Sequence, residues 1–403
     1  MDVQQGIGPP RLPSTTMSRS LWGVFFTDTF GAAASGLFIF VYSIYIIQLG
    51  GDGVDVGIIF SVSLAVSAVS YLPGAYLVHL FDRKKIMIAS MLVPPVALVI
   101  LYYATSWTHV LIAESIWFIG NFGSPAFITY ITEASPKNLV MRRFGIVYAG
   151  PALAYVVAPG VGALIILQYG EIRNIFPFAL ALRLIAPLFL LTIDSQLPKP
   201  SLFSKSRLTK QLFSFNRQTL VRILFLVLIG AVLSMCVPYL PLFLIDLRGF
   251  SEMQVQILGS IGYLGAAILS IGLGHLGDSR GGAIGVFATL AVFIAGCMLL
   301  LGADFIGTVL LAVFMLGIMT AVITILDSIA GLKSDQENIG GQLSIYLLAE
   351  SIAMAPMPFL GGLLYDRVGK EWPFIVGAVL ASVLLVMVFL RRDLLDTTPS
   401  KAH

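Results

Sequence analysis

Two short hydrophilic stretches, YLVHLFDRKK at residues 76–85 and GLGHLGDSRGG at residues 272–282, interrupt a chain that is otherwise strongly apolar. Asp82 and Asp278 stand 196 positions apart, each preceded at the same offset by a His-Leu pair. A hinge written once in each half points to an internal repeat. Of 403 residues, 58% are hydrophobic and 11% charged, and the mean hydropathy is +0.93. A water-soluble domain carries about 25% charged residues, so this chain is expected to use the lipid bilayer as its solvent.

Apolar runs of about 20 residues read as membrane-spanning helices. Twelve are present, at residues 20–48, 54–79, 86–105, 108–134, 140–168, 172–193, 219–246, 252–275, 281–302, 304–332, 340–365 and 371–391. They predict an all-α membrane protein of two pseudo-symmetric six-helix bundles, residues 20–193 and 219–391. A tail at 1–19, a linker at 194–218 and a second tail at 392–403 complete the chain. Nineteen of the 24 Lys and Arg fall on the side of the tails and linker, four fall on the other side, and Arg183 lies inside a span. Positive residues collect on the cytoplasmic side. This predicts a multi-pass protein of the cell membrane with both termini and the linker cytoplasmic. The polar lead lacks the short apolar core of a cleaved signal and is expected to stay.

The two stretches then close the second and eighth spans on one face. A weaker pair, Pro177-Phe178 and Pro373-Phe374, repeats at the same offset in the sixth and twelfth. In topology and in these motifs the chain resembles the major facilitator superfamily, whose hinge after the second helix runs Gly-x-Leu-Ala-Asp-Arg-x-Gly-Arg-Lys. The first stretch keeps Leu80, Asp82, Arg83 and Lys84-Lys85 but has Val78 for the leading Gly. The second keeps Gly274, Leu276, Asp278 and Gly281 without the Arg, and a third version, Gly362-x-Leu364-x-Asp366-Arg367, ends the eleventh span on the outer side. The resemblance implies that Asp82, Arg83 and Asp278 serve a cytoplasmic latch, in which a carboxylate complements the positive N-terminus of a neighbouring helix. Glu133, with Arg142 and Arg143 across a short loop, reads as a gate pair on the same face.

The fifth span places Gly145, Ala154, Ala158-Pro159 and Gly162-Ala163 at the spacing of the family's antiporter motif, Gly-x8-Gly-x3-Gly-Pro-x2-Gly-Gly. The pattern is closest to the 12-helix drug/proton antiporters. Gly145, Pro159 and Gly162 are the expected helix-packing positions, since small residues let helices approach and proline bends them. The Arg that such antiporters usually carry in the fourth helix is absent near Ile116, where the nearest charge is Glu114.

Ionisable groups inside a span cost at least ~2.5 kcal/mol and face protein or a water-filled cavity. Asp28, Glu114, Glu133, Arg183, Asp327 and Glu350 qualify. Arg183 is always charged and needs a carboxylate, for which Asp28 lies at matching depth. Glu350 has no basic residue at membrane depth in its own or neighbouring spans, which suits a proton carrier. The proton-coupling candidates are thus Glu350, Asp28, Glu114 and Asp327, with Arg183 as charge partner.

In this family the first, fourth, seventh and tenth helices line the cavity. The resemblance therefore makes Tyr42, Tyr45, Trp117, Asn121, Tyr239 and Met319 cavity candidates, an aromatic and Met-rich wall for a lipophilic or weakly polar solute. Cys236 and Cys297 sit in apolar runs and the four histidines are scattered, so neither a disulfide nor a metal site is expected. No phosphate loop, HExxH or GxSxG occurs, so neither an enzyme nor an ATPase is expected. The chain is expected to be a monomer without cofactor or nucleic-acid partner, driven by the proton gradient, with sodium the alternative ion. The reading is proton-coupled efflux of a small solute by antiport. Uptake by symport is the alternative, and a non-transporting sensor a more distant one.

Overall fold

A computed structural model describes residues 17–136, 139–197, 217–320 and 348–391. The described chain is helical throughout, and ten of its helices are long and apolar enough to cross a membrane. With no water to satisfy backbone groups in hydrocarbon, helices are the available spanning form for such runs.

In chain order the helices are α1 (Arg19–Gly36) and the spans α2 (Gly53–Leu77), α3 (Arg83–Tyr102), α4 (Trp107–Glu133), α5 (Arg142–Tyr169) and α6 (Ile172–Thr192). The second half holds α7 (Leu224–Asp246), α8 (Glu252–Gly277), α9 (Gly282–Leu301), α10 (Ile306–Thr320), α11 (Leu348–Arg367) and α12 (Trp372–Leu390). α1 and the shorter α10 stand outside the ten. Several spans read as continuous are broken. After Gly36 the first re-forms as a short helix, Tyr42–Gln48. The fourth passes through a 3-10 turn at Gly120–Gly123, and the sixth ends in 3-10 geometry over Ala186–Thr192.

The duplication is visible in the turns. Gly50 and Gly249 both take positive φ, +84° and +68°, where only glycine is unstrained. Each is followed by a capping box, Asp52 with Asp55 at the start of α2 and Ser251 with Gln254 at the start of α8. These turns lie 199 residues apart, not 196, so the two halves slip by three residues along the second and eighth spans.

The slip shows in the hinges. Asp82 ends the connection after α2 and caps α3, its Oδ1 accepting from the Lys84 amide at 3.0 Å and the Gln196 amide at 3.1 Å. In the second copy the helix continues through Asp278 to Arg280. The first copy is thus a cap that also holds the end of α6 inside one half. Asp82→Ala is expected to lower stability by about 1–2 kcal/mol, read as an earlier melt of the purified protein. An unchanged melting temperature would remove the capping role.

Small residues set the packing. α1 lies along α5 and α6, and Gly36 meets Ala158 and Tyr155 there. Across the halves, α2 packs on α11 and α5 on α8. Large apolar side chains such as Leu153, Leu164, Leu167 and Phe389 stay exposed, as a lipid-facing surface requires.

Five hydrogen bonds join described residues of the two halves, all toward the face opposite the one where α1 begins and α6 ends. Val54 N donates to Asp366 Oδ2 at 2.7 Å, Tyr239 Oη to Gly53 O at 3.1 Å, and Phe359 N to Ser61 Oγ at 3.1 Å. Gln48 donates to Glu252, and Gln256 to the carbonyl of Leu37. At 1.5 Å per residue this seal reaches roughly 10 Å down α2, from Val54 to Ser61. Below it, Tyr155 of α5 stacks on Tyr263 of α8 with centroids 5.1 Å apart.

Candidate functional site

Beneath the seal lies a cavity of about 420 Å³, and all its described lining residues come from the N-terminal half. α1 contributes Asp28, Gly31 and Ser35. Ser90 and Pro94 come from α3, Trp117 and Asn121 from α4, Tyr148 and Tyr155 from α5, and Arg183 from α6. The kinked entry of α3 at Pro94-Pro95 and the 3-10 turn of α4 open this space. Asn121 is fixed by donating to Ser67 Oγ at 2.7 Å. Arg183 lies over the Trp117 ring with Cζ 4.9 Å from its centroid. Gly31 makes room for it, because a Cβ at that position would stand 2.5 Å from Nη1.

The expected direct pairing of Arg183 with Asp28 is not made. Among the described residues the ion pairs are Arg83–Glu133 at 3.2 Å and Lys370–Asp246 at 2.7 Å. Asp28 and Arg183 face one cavity without touching, and the Arg183 Nε is buried with no hydrogen-bond partner. The separation follows from the orientation of Arg183, whose guanidinium occupies the Gly31 slot against Trp117.

Other expected sites are placed differently. Glu133 pairs with Arg83, not with the arginines across the loop; of those, Arg143 is buried and Arg142 exposed. Beside them, His79 lies in the connection after α2. Burial and then the Arg83 guanidinium push its pKa below the ordinary histidine value, so it is neutral at pH 7. Glu114 accepts from Tyr42 Oη at 2.7 Å and does not line the cavity. Tyr45 Oη donates to the Leu101 carbonyl at 2.7 Å, and its ring lines a smaller cavity of about 260 Å³ at the opposite face with Glu171 and Arg173.

Tyr239, expected on the cavity wall, is a seal residue, its hydroxyl donating to Pro358 O at 2.6 Å as well as to Gly53 O. Met319 is buried in the core of the second half, and Glu350 is buried on α11 without lining either cavity. In the fifth span Gly145 faces open space, so it packs against nothing here. Gly162 abuts Leu37 and Gln256, and Pro159 lies inside the helix. Asp327 falls outside the described residues, and of Asp278 only the helical backbone is described.

Tyr155, Ser35, Gln256 and Asp366 were not singled out as site residues. Tyr155 had a signal, being an aromatic set between the small-residue stretches 149–154 and 158–163 of α5. Asp366 accepts at the amide end of α2, which is the carboxylate-to-helix-terminus contact expected of the hinge, made at the other face by its third version.

The architecture matches known transporters. A nucleoside transporter, NupG in a mutant form, superposes with TM-score 0.75 at 16% identity over 92% of this chain and 99% of its own. A bacterial homolog of the human lysosomal transporter Spinster, inward-facing and unoccupied, gives 0.72 at 16% over 93% and 97%. A POT family transporter in complex with 5-aminolevulinic acid gives 0.75 at 14% over 95% and 98%. No curated protein matches the sequence. The profile of the Major Facilitator Superfamily matches residues 24–322 and 228–402. With ten membrane-spanning helices among the described residues, two related halves, a hinge repeated between them and a cavity under a sealed face, the chain belongs to the major facilitator superfamily and is a transporter of a small-molecule solute in a membrane.

Proposed function

We propose that this transporter is proton-coupled, that Asp28 is the group that carries the proton, and that the solute leaves the cell by antiport. The observation that carries the reading is the Asp28–Arg183 cavity. Both residues line it, neither is neutralised by a described ion pair, and it lies under the interlocked ends of α2, α11 and α8. With the positive-inside rule placing the termini in the cytoplasm, this is an inward-facing state. A carboxyl in such a space exchanges its proton with the side to which the cavity opens. A solute group that prefers the carboxylate then displaces the proton, which is the linkage that antiport needs. Glu350 is the second proton-bearing candidate, buried on α11.

The test uses purified protein in liposomes with a trapped pH reporter and no imposed gradient. Lipophilic cations, sugars, amino acids and organic acids are added outside in turn. Solute-dependent alkalinisation of the lumen is expected. Acidification would replace antiport by symport, and a solute that moves without any pH change would remove the proton from the mechanism.

A further inference from the structure

We infer that the N-terminal-half cavity binds a zwitterionic solute, with the solute's carboxylate on Arg183, its ammonium on Asp28, and its apolar body against Trp117 and Tyr155. This rests on the cavity being the solute site.

The argument starts from two opposite charges that do not meet. Arg183 is a permanent cation. Among the described residues no carboxylate lies within 4 Å of it, and its buried Nε donates to nothing. Half-buried at the cavity wall with its Nε out of reach of water, the guanidinium carries a desolvation cost without a hydrogen-bonded anion to offset it. The Trp117 face compensates only in part, and the planar guanidinium fork suits two parallel bonds to a carboxylate. Asp28 likewise has no described hydrogen-bond or ion-pair partner, and it opens onto the same space.

The protein could have closed this pair, since the long, flexible arginine shares one cavity with the carboxylate. Instead Gly31 supplies the slot that draws the guanidinium onto Trp117. The gap is therefore built in. Its contents must offer an acceptor at one end and a donor at the other to satisfy both ends. A single anion would leave Asp28 repelling it, and a single cation would face Arg183. A zwitterion leaves neither charge exposed.

The remaining walls fit its body. Trp117 and Tyr155 bring aromatic rings to the wall, and Asn121 and Ser35 bring polar atoms to the same cavity. About 420 Å³ lies within the range of small-molecule pockets. The ammonium takes the place of the proton on Asp28, and the proton leaves through the open side, so binding and proton release are one event.

The experiment is calorimetric titration of the detergent-purified full chain with matched charge sets built on three bodies, L-phenylalanine, L-leucine and 5-aminovalerate. Each body is offered as the zwitterion, the C-terminal amide, the deaminated acid and the deaminated amide. For at least one body the zwitterion is expected to bind at least about tenfold more tightly than its three partners, since each end gains a charge-assisted hydrogen bond. Arg183→Gln should erase the preference over the amide, Arg183→Lys should restore part of it, and Asp28→Asn should erase the preference over the deaminated acid. No preference for the zwitterion with any body, or a preference that survives both Arg183→Gln and Asp28→Asn, overturns the proposal. Charge-blind binding beside proton-coupled flux would sink the zwitterion alone. Zwitterion-selective binding without proton movement would instead sink the coupling and leave the site.

Discussion

Asp28→Asn is expected to abolish solute accumulation driven by a pH gradient, while solute exchange between the two sides of the membrane continues at raised solute concentration. Each unit of pH difference is worth 1.36 kcal/mol per proton. An imposed difference of about two units therefore supports an up to hundredfold solute ratio for one exchanged proton. Asparagine keeps the size and a hydrogen-bonding oxygen but cannot bind and release a proton. The ratio in the variant should fall to about one, while counterflow of labelled against unlabelled solute persists once the solute concentration is raised to offset the weaker binding. Glu350→Gln is the control, because Glu350 lies outside both described cavities. Full accumulation in Asp28→Asn, with loss in Glu350→Gln, would move the proton to α11. Loss of counterflow in Asp28→Asn even at saturating solute would mean that no solute binds productively without the carboxylate, and would leave the proton unassigned.

How much of this was legible before the structure follows from what hydropathy and charge encode. The apolar spans and the repeated hinge are properties of the chain taken along its length. Ten spans stand as crossing helices among the described residues, and the hinge appears as a cap at Asp82 and as continuous helix at Asp278. Asp28, Trp117, Asn121 and Arg183 were legible because polar or ionisable groups are rare at membrane depth and therefore stand out. Their arrangement was not. Depth along a span is read by counting residues, whereas the direction a side chain faces depends on where the helix breaks, and α1, α4 and α6 all break. For that reason Arg183 and Asp28 share a depth but do not pair, and Tyr239 went to the seal. Glu133 had two arginines nearby in sequence and found Arg83 from another helix. The small residues of α5 read as an antiporter pattern, yet Ala158 and Gly162 are explained by contact with α1 and its following turn. The pattern alone does not separate packing from coupling.

The seal itself is the place where one substitution should act most strongly on conformation. At Gly57 a Cβ would stand 2.6 Å from the Pro358 carbonyl oxygen, 2.7 Å from the Tyr239 hydroxyl and 2.9 Å from the Phe359 Cα. Two of these three neighbours are backbone, so Gly57→Val cannot be absorbed by a rotamer change on α11. The tightly packed helix pair must separate, with a strain of about 1–3 kcal/mol. The displacement also carries the Tyr239 hydroxyl away from Pro358 O and Gly53 O, between which its one proton is shared, a loss of about 1 kcal/mol.

Both costs fall only on the state in which α2 meets α11, since a state open at that face has the two helices apart. A ligand or mutation shifts a two-state equilibrium by its differential effect on the states, and about 2–4 kcal/mol corresponds to a shift of some thirty- to several-hundredfold. With single cysteines introduced at Val54 and Ser61, Gly57→Val should make both positions react rapidly with a membrane-impermeant thiol reagent added at the sealed face. Tyr239→Phe, which removes the hydrogen bonds without adding bulk, should raise reactivity by roughly five- to tenfold. Unchanged labelling in Gly57→Val would mean that the α2–α11 contact does not govern access. Equal effects from the two variants would assign the seal to the tyrosine hydroxyl rather than to the close approach of the helices. The expected order, valine above phenylalanine above the parent, is that of a seal held mainly by fit, with hydrogen bonds at Tyr239 and Asp366 fixing its register.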